Sequence, residues 1–156
     1  MMIRPAGPDD APAMADLLNA IIAIGGTTAH EQPKSPDTVR HDYIDGPGTL
    51  TCVVAEEAGQ ILGWQAVDQH HGEVHIGTFV SPHTQAKGIG AQLFAQTRAL
   101  CAAKGINEIF AAIRADNVPG LAYYARLGFT DVGAEPDYAL VTGQVVGRIF
   151  RKLTLR

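Results

Sequence analysis

Between Leu50 and Val80 three strand-like runs follow one another with almost nothing between them. LTCVVAE, Leu50 to Glu56, ends at Glu57-Ala58-Gly59. QILGWQAV, Gln60 to Val67, ends at Gln69-His70-His71-Gly72, and EVHIGTFV, Glu73 to Val80, ends just before Pro82. Short apolar, β-branched runs closed by glycine turns read as strands. Connections this short join neighbouring strands that run in opposite directions, so the three form an antiparallel meander. The rest of the chain must be arranged around that sheet.

Around it the period changes. Met2 to Ala6 reads as a first strand. Met14, Leu17, Leu18, Ile21 and Ile22 recur at helical spacing until Gly25-Gly26 ends the pattern. GGTTAHEQP, Gly25 to Pro33, has no period and reads as a polar loop. Ser35 caps a second helix with Pro36 in its first turn, and that helix runs to about Ile44. After the meander a helix is expected from Gly88 to Lys104, stopped by Gly105. A strand over Glu108–Ile113, a helix over Val118–Leu127, a strand over Phe129–Gly133 and a last strand over Val145–Leu155 complete the order. The fold class is therefore α/β (α+β): a mixed, mostly antiparallel central sheet of six or seven strands flanked by four helices, in a single domain over residues 1–156.

Composition fits that reading. With 46% apolar and 18% charged residues in 156, the chain can bury roughly two-thirds of its unfolded surface. A net charge of −4 without a basic run argues against nucleic acid as a partner. No stretch reaches the length of a membrane span, and MMIRPAGPDD lacks the apolar core of a secretory signal, so no membrane partner and a cytoplasmic location are expected. Cys52 and Cys101 fit no metal knuckle or redox pair and read as free thiols. His70-His71 has no second ligand pair, so no metal is expected.

SPHTQAKGIGAQLF, Ser81 to Phe94, sits where a strand gives way to a helix. Helix N-termini present free N–H groups and the positive end of the helix dipole, and glycines let an anion approach the backbone. Lys87 adds charge. The local reading is a diphosphate cradle; the competing reading is close helix packing. Leu93 stands where a dinucleotide fingerprint needs its third glycine, and no Gly-Lys-Ser/Thr follows, so neither the dinucleotide nor the P-loop pattern is met.

Gln85-x-x-Gly88-x-Gly90 resembles motif A of the GNAT superfamily of N-acetyltransferases. NVPGLAYYARLGFTDVG, Asn117 to Gly133, resembles its motif B, with Tyr124, Leu127, Gly128 and Phe129 matching. The two lie about 30 residues apart, as in that family. IRPAGPDD is similar to a common start of its members, so the resemblance spans essentially the whole chain. It implies a GNAT-like acyl-CoA N-acyltransferase fold whose sheet splays open between the strands at Glu73–Val80 and Glu108–Ile113. It also implies acetyl-coenzyme A as co-substrate. The diphosphate would lie on the backbone of Gln85, Ala86, Lys87, Gly88, Ile89, Gly90 and Ala91, and the pantetheine beside Phe79 and Val80, with Asn117 opening the motif B helix. Tyr124 falls at the general-acid position facing the sulfur; packing of the last helix is its bland alternative. Tyr123 lies about 100° round the helix from it.

An amine must lose a proton to attack. Glu73, His75, Gly77 and Phe79 share one face of their strand, and Val74, Ile76, Thr78 and Val80 the other, core-like one. His75 is a candidate base, since a histidine titrates near ~6.5; Glu73 acting through water, or no dedicated base, are the alternatives. Within the superfamily the chain is most similar to the phosphinothricin and methionine-sulfoximine acetyltransferases, through GGTTAHEQPKSP and GQILGWQA. That branch usually carries Glu where His75 stands and often His where Tyr124 stands, so the catalytic pair is rearranged here. The resemblance implies acetylation of the primary amine of a small amino-acid-like molecule, with Thr27, Thr28, His30 and Glu31 lining the acceptor site and Trp64 forming a wall. Plain surface loop and core tryptophan are the competing readings. A protein N-terminal or lysine acetyltransferase, and a non-catalytic acyl-CoA-binding module, are the alternative functions. Family habit suggests a homodimer.

Overall fold

The computed structural model describes residues 1–28, 30–84 and 88–155. β1 (Met2–Pro5) leads through a 3₁₀ turn into α1 (Ala11–Ile24). α2 (Pro36–Val39) continues directly as a π-helical turn over Arg40–Asp45. The meander follows as β2 (Thr49–Glu57), β3 (Gln60–His70) and β4 (Glu73–Val80). α3 (Ile89–Ala103), β5 (Glu108–Arg114), α4 (Val118–Arg126), β6 (Thr130–Glu135) and β7 (Arg148–Thr154) close the chain. The expected order of elements and the mostly antiparallel seven-stranded sheet are both present.

Two boundaries differ from expectation for local reasons. β3 runs on to His70, because Ala58-Gly59 and His71-Gly72 each supply two consecutive positive-φ residues. Those two-residue turns match the twist of paired strands and leave the flanking residues free to pair. β7 begins at Arg148, because Val145 instead bridges Ala139 in the long β6–β7 connection. Cys52 and Cys101 are both free.

Helices cover both faces. α1, α2 and the π-helical turn bury Met14, Leu18, Ile21, Val39 and Tyr43 against Val54, Trp64, Ala66 and Phe79. On the other face Phe94 and Cys101 of α3 and Tyr124 of α4 pack on Val67, Ile76 and the inward residues of β5. The strands of β4 therefore carry core on both sides, not on the Ile76 side alone.

The strand order β1-β2-β3-β4-β5-β7-β6 is antiparallel at every step but one. β4 and β5 run parallel and are matched at one register pair, His75 with Phe110. Beyond it the two strands part. Gly77 to Val80 therefore has β3 on one side and, among the described residues, no strand ladder on the other.

Candidate active site

The parted seam leads to the N-terminus of α3. Gly88 caps that helix with φ +67, in the left-handed region, and a Cβ there would meet nothing within 4 Å. The first helical bond runs from the Gln92 N–H to the Gly88 carbonyl. Among the described residues no side chain caps the helix, and the first-turn N–H groups of Ile89, Gly90 and Ala91 face outward for another acceptor. Gly90 differs from Gly88. A Cβ there would come within 2.6 Å of the Tyr123 ring. The first glycine permits the bend, and the second makes room for an aromatic ring. Gln85, Ala86 and Lys87, named from the sequence as further backbone contacts, lie outside the described residues.

Tyr123 and Tyr124 are about 100° apart on α4, yet their rings stand 4.9 Å apart and their hydroxyls enter one polar network. The Tyr123 hydroxyl donates to the Gly90 carbonyl at 2.8 Å and accepts from Gln65 Nε2 at 3.0 Å. Gln65 Nε2 also donates to Thr78 Oγ1 at 2.9 Å, and Thr78 Oγ1 lies 2.9 Å from the Tyr124 hydroxyl. Burial pushes the Tyr124 phenol well above its usual range, against the hydrogen bond with Thr78. It pushes Tyr123 up to about 12, against the hydrogen bond from Gln65. Both phenols therefore keep their protons at neutral pH. Gln65 is fully buried, and its Oε1 has no hydrogen-bond partner among the described residues.

The other face of β4 carries His75, with Nε2 3.5 Å from Glu73 Oε1. Its cross-strand neighbour is Asp68. Burial raises the Asp68 carboxyl above its usual range, opposed by His70, whose Nε2 lies 3.3 Å away. Asp68 and His70 line a cleft of about 440 Å³ with His30, Lys34, Asp42 and Tyr43. His30 Nε2 is 3.3 Å from the Tyr43 hydroxyl, and burial, aided by Lys34, lowers its affinity for a proton. Lys34 Nζ lies 3.8 Å from Asp42 Oδ2.

The loop between α1 and α2 is tied on the far side of the seam. Arg114, buried and paired with Asp116, donates to the Thr28 carbonyl at 3.0 Å. Asn117, whose Oδ1 caps α4 at the Gly120 N–H, donates to the Thr27 carbonyl at 3.0 Å. Both carboxylate oxygens of Glu31 accept from the Val141 N–H at 2.9 Å. Thr27, Thr28 and Glu31 thus make tethers. His30 alone of the four loop residues lines the cleft. Trp64 is fully buried, donates to the Met14 carbonyl at 3.2 Å and backs Phe79, with ring centroids 4.5 Å apart. Gln65, Thr78, Asp68 and Arg114 were not expected from the sequence. For Gln65 and Thr78 there was a hint: a glutamine inside the apolar run ILGWQAV, and a threonine on the core side of the neighbouring strand.

Residues 16–129 match the acetyltransferase (GNAT) family. The chain belongs to that family. This GNAT acetyltransferase is 28% identical over 142 residues to a mycothiol acetyltransferase of Clavibacter michiganensis, covering 86% of this chain and 46% of that protein. The chain thus spans about half the length of the first such relatives. It is 26% identical over 137 residues to the phosphinothricin N-acetyltransferase of Streptomyces viridochromogenes, covering 84% of this chain and 75% of the relative. A phosphinothricin acetyltransferase from Sinorhizobium meliloti, solved with acetyl-CoA, shares its fold, with a TM-score of 0.83 at 21% identity over 98% of this chain and 87% of that one. Acetyl-CoA is the co-substrate of the family. The uncapped start of α3, the open Cβ position of Gly88 and the unladdered edge of β4 suit its diphosphate and its extended arm. Among the described residues no cluster of His, Cys, Asp and Glu could hold a metal ion.

Proposed function

We propose that this GNAT acetyltransferase acetylates the primary amine of a small zwitterion, an amino acid or a close analogue. The cleft carries this reading. One cation, Lys34, and two carboxylates, Asp42 and Asp68, face about 440 Å³, a volume suited to a small molecule, and Asp68 is the cross-strand partner of His75. An amino acid presents the complementary pair, a carboxylate and an ammonium. The resemblance to phosphinothricin acetyltransferases points the same way. The tethered loop leaves less room for the open groove that a peptide acceptor needs.

When bound, acetyl-CoA supplies an acetyl thioester as acyl donor. The first-turn N–H groups of Ile89, Gly90 and Ala91 would hold its diphosphate, the Gly77–Val80 edge of β4 would align its arm, and a backbone N–H near Val80 would stabilise charge on the acyl oxygen. His75, steadied by Glu73, takes a proton from the acceptor ammonium. It sits three residues along β4 from Thr78 and on the opposite face, about 10 Å away along the strand, so that proton travels through water in the cleft. Tyr124 gives its phenolic proton to the departing sulfur. The nitrogen–carbon bond forms as the carbon–sulfur bond breaks, and a proton lost by the nitrogen restores the phenol through water. The products are the amide and coenzyme A.

The test is thiol release from acetyl-CoA with a panel of amines: phosphinothricin, methionine sulfoximine, the ordinary amino acids and basic peptides. Release that depends on one or more amino-acid-like amines is expected. Release with peptides only would sink the small-molecule reading, and acetyl-CoA binding without amine-dependent release would leave a binding module.

A further inference from the structure

Four hydrogen bonds run unbroken from the start of α3 to the Tyr124 oxygen, and their direction can be worked out. The Gly90 carbonyl can only accept, so Tyr123 donates to it. That spends the one Tyr123 proton. Gln65 must then present its amide N–H to the Tyr123 oxygen, because a flipped amide would set two acceptors facing each other. The second Gln65 N–H goes to Thr78 Oγ1. The orphaned Gln65 Oε1 follows from this: both useful contacts of that side chain are donations, and the carbonyl is left over inside the core.

One choice remains, at the Thr78–Tyr124 contact, where either oxygen could donate. If Tyr124 donated, the Thr78 proton would have no hydrogen-bond acceptor among the described residues. If Thr78 donates, the proton left over is the one on Tyr124, so the count is the same either way. Polarisation decides between them: Thr78 already accepts from Gln65, and a hydroxyl that accepts a hydrogen bond is the better donor, since such chains polarise in one direction.

We propose that Gln65, Thr78 and Tyr123 are positioning residues: they make the Tyr124 oxygen an acceptor on the β4 side, so that its own proton points into the opened seam. This rests on the reading of Tyr124 as the group that faces the coenzyme sulfur. It adds a direction and a cause. The anchor of the chain is the backbone of the same helix end that receives the diphosphate, so the bend that holds one end of the donor also orients the acid at the other. A phenol left free could turn its proton to Thr78 and offer lone pairs to the sulfur, which would oppose the negative charge developing there.

Coenzyme A itself is the probe, because its thiol reports the hydrogen bond without any acceptor amine or turnover. The thiolate absorbs in the ultraviolet, so the apparent pKa of the bound thiol can be followed in the wild-type complex and in variants. A phenol donating to sulfur favours thiolate, so Tyr124→Phe should raise the pKa of the bound thiol by about one unit. Gln65→Met, which frees the Thr78 oxygen to accept the Tyr124 proton, should raise it by most of the same amount and should add nothing in the Tyr124→Phe background. Thr78→Val offers that proton no acceptor on the β4 side, so the thiol should stay close to wild type, and Gln65→Met should add little to it. A purely structural role for Gln65 predicts no dependence on the Thr78 hydroxyl. If Gln65→Met does not fold, Tyr123→Phe, which frees the amide to turn its oxygen to Thr78, carries the same expectation. A rise in Tyr124→Phe alone, with Gln65→Met and Tyr123→Phe like wild type, overturns the relay and leaves the acid reading standing. No rise in Tyr124→Phe, or no binding of coenzyme A, overturns both.

Discussion

Gly88 and Gly90 sit two residues apart and answer to different constraints. Gly88→Ala puts a Cβ into open space but holds it at φ +67, which costs about 1–2 kcal/mol. Gly90→Ala drives a methyl group into the Tyr123 ring, at a cost of about 1–3 kcal/mol from overpacking. Thermal denaturation should therefore find both less stable. Only Gly90→Ala should shift the thiol pKa of bound coenzyme A, because only it displaces Tyr123 from the Gly90 carbonyl. At the base, His75→Gln should cut kcat about a hundredfold and Glu73→Gln far less, read by steady-state thiol release. A His75→Gln enzyme as fast as the wild type assigns the proton to another group. The pattern Gly-x-Gly was legible in the sequence, as was Tyr124. What each glycine does was not, because Tyr123 arrives from a helix more than thirty residues on. Angular separation on α4 also misled: two long phenols 100° apart can still reach one buried amide. Whether Gln65 was a buried anchor or a surface residue depended on which face α3 covers, which is a tertiary fact.

Among the elements, the loop between α1 and α2 is irregular and firmly tied. Among the described residues its tethers come from β5, from the cap of α4, from the β6–β7 connection and, at Lys34, from Asn19 of α1. Glu31→Gln replaces a carboxylate on the Val141 N–H with a single neutral oxygen. Losing about 1 kcal/mol of that bond should raise the KM for the acceptor roughly fivefold, with coenzyme A affinity unchanged. Steady-state kinetics and calorimetric titration with coenzyme A separate the two effects; a weaker grip on coenzyme A with an unchanged acceptor KM would contradict this placement. The polar, aperiodic character of GGTTAHEQP was plain in the sequence. Its partners beyond α1 were not, because they lie about 80 to 110 residues away, and a backbone carbonyl that accepts from Arg114 leaves no mark in the residue type of Thr28. The helices and strands were more legible, since apolar spacing reports local geometry directly. The boundaries that moved, at His70 and Val145, were set by turns.

At the scale of the molecule, the first strand is held by a charged tie. Arg4 makes a two-bond contact with Asp10, 2.8 Å at each oxygen, and a longer one with Glu56. The Arg4 guanidinium holds the Asp10 carboxyl below its usual range. A lowered folded-state pKa contributes stability above the ordinary carboxyl value, and that contribution fades as pH falls through the folded value. Asp10→Asn should therefore cost about 2 kcal/mol at pH 7, by denaturant titration, and progressively less as pH falls below about 4. A cost independent of pH would mean the charge is not what matters. Beyond that tie, the sheet itself is two half-sheets, β1–β4 and β5–β7–β6, sharing one register pair at His75 and Phe110. A junction that short imposes almost no register on either half, so one half can be exchanged for a relative's without re-pairing the other. What a graft must keep is the side-chain joint across that junction: the common core of Val67, Ile76 and Phe94 with Ile109, Ile113 and Tyr124, and the links of Tyr124 to Thr78, Tyr123 to Gln65, and Arg114 and Asn117 to the loop before α2.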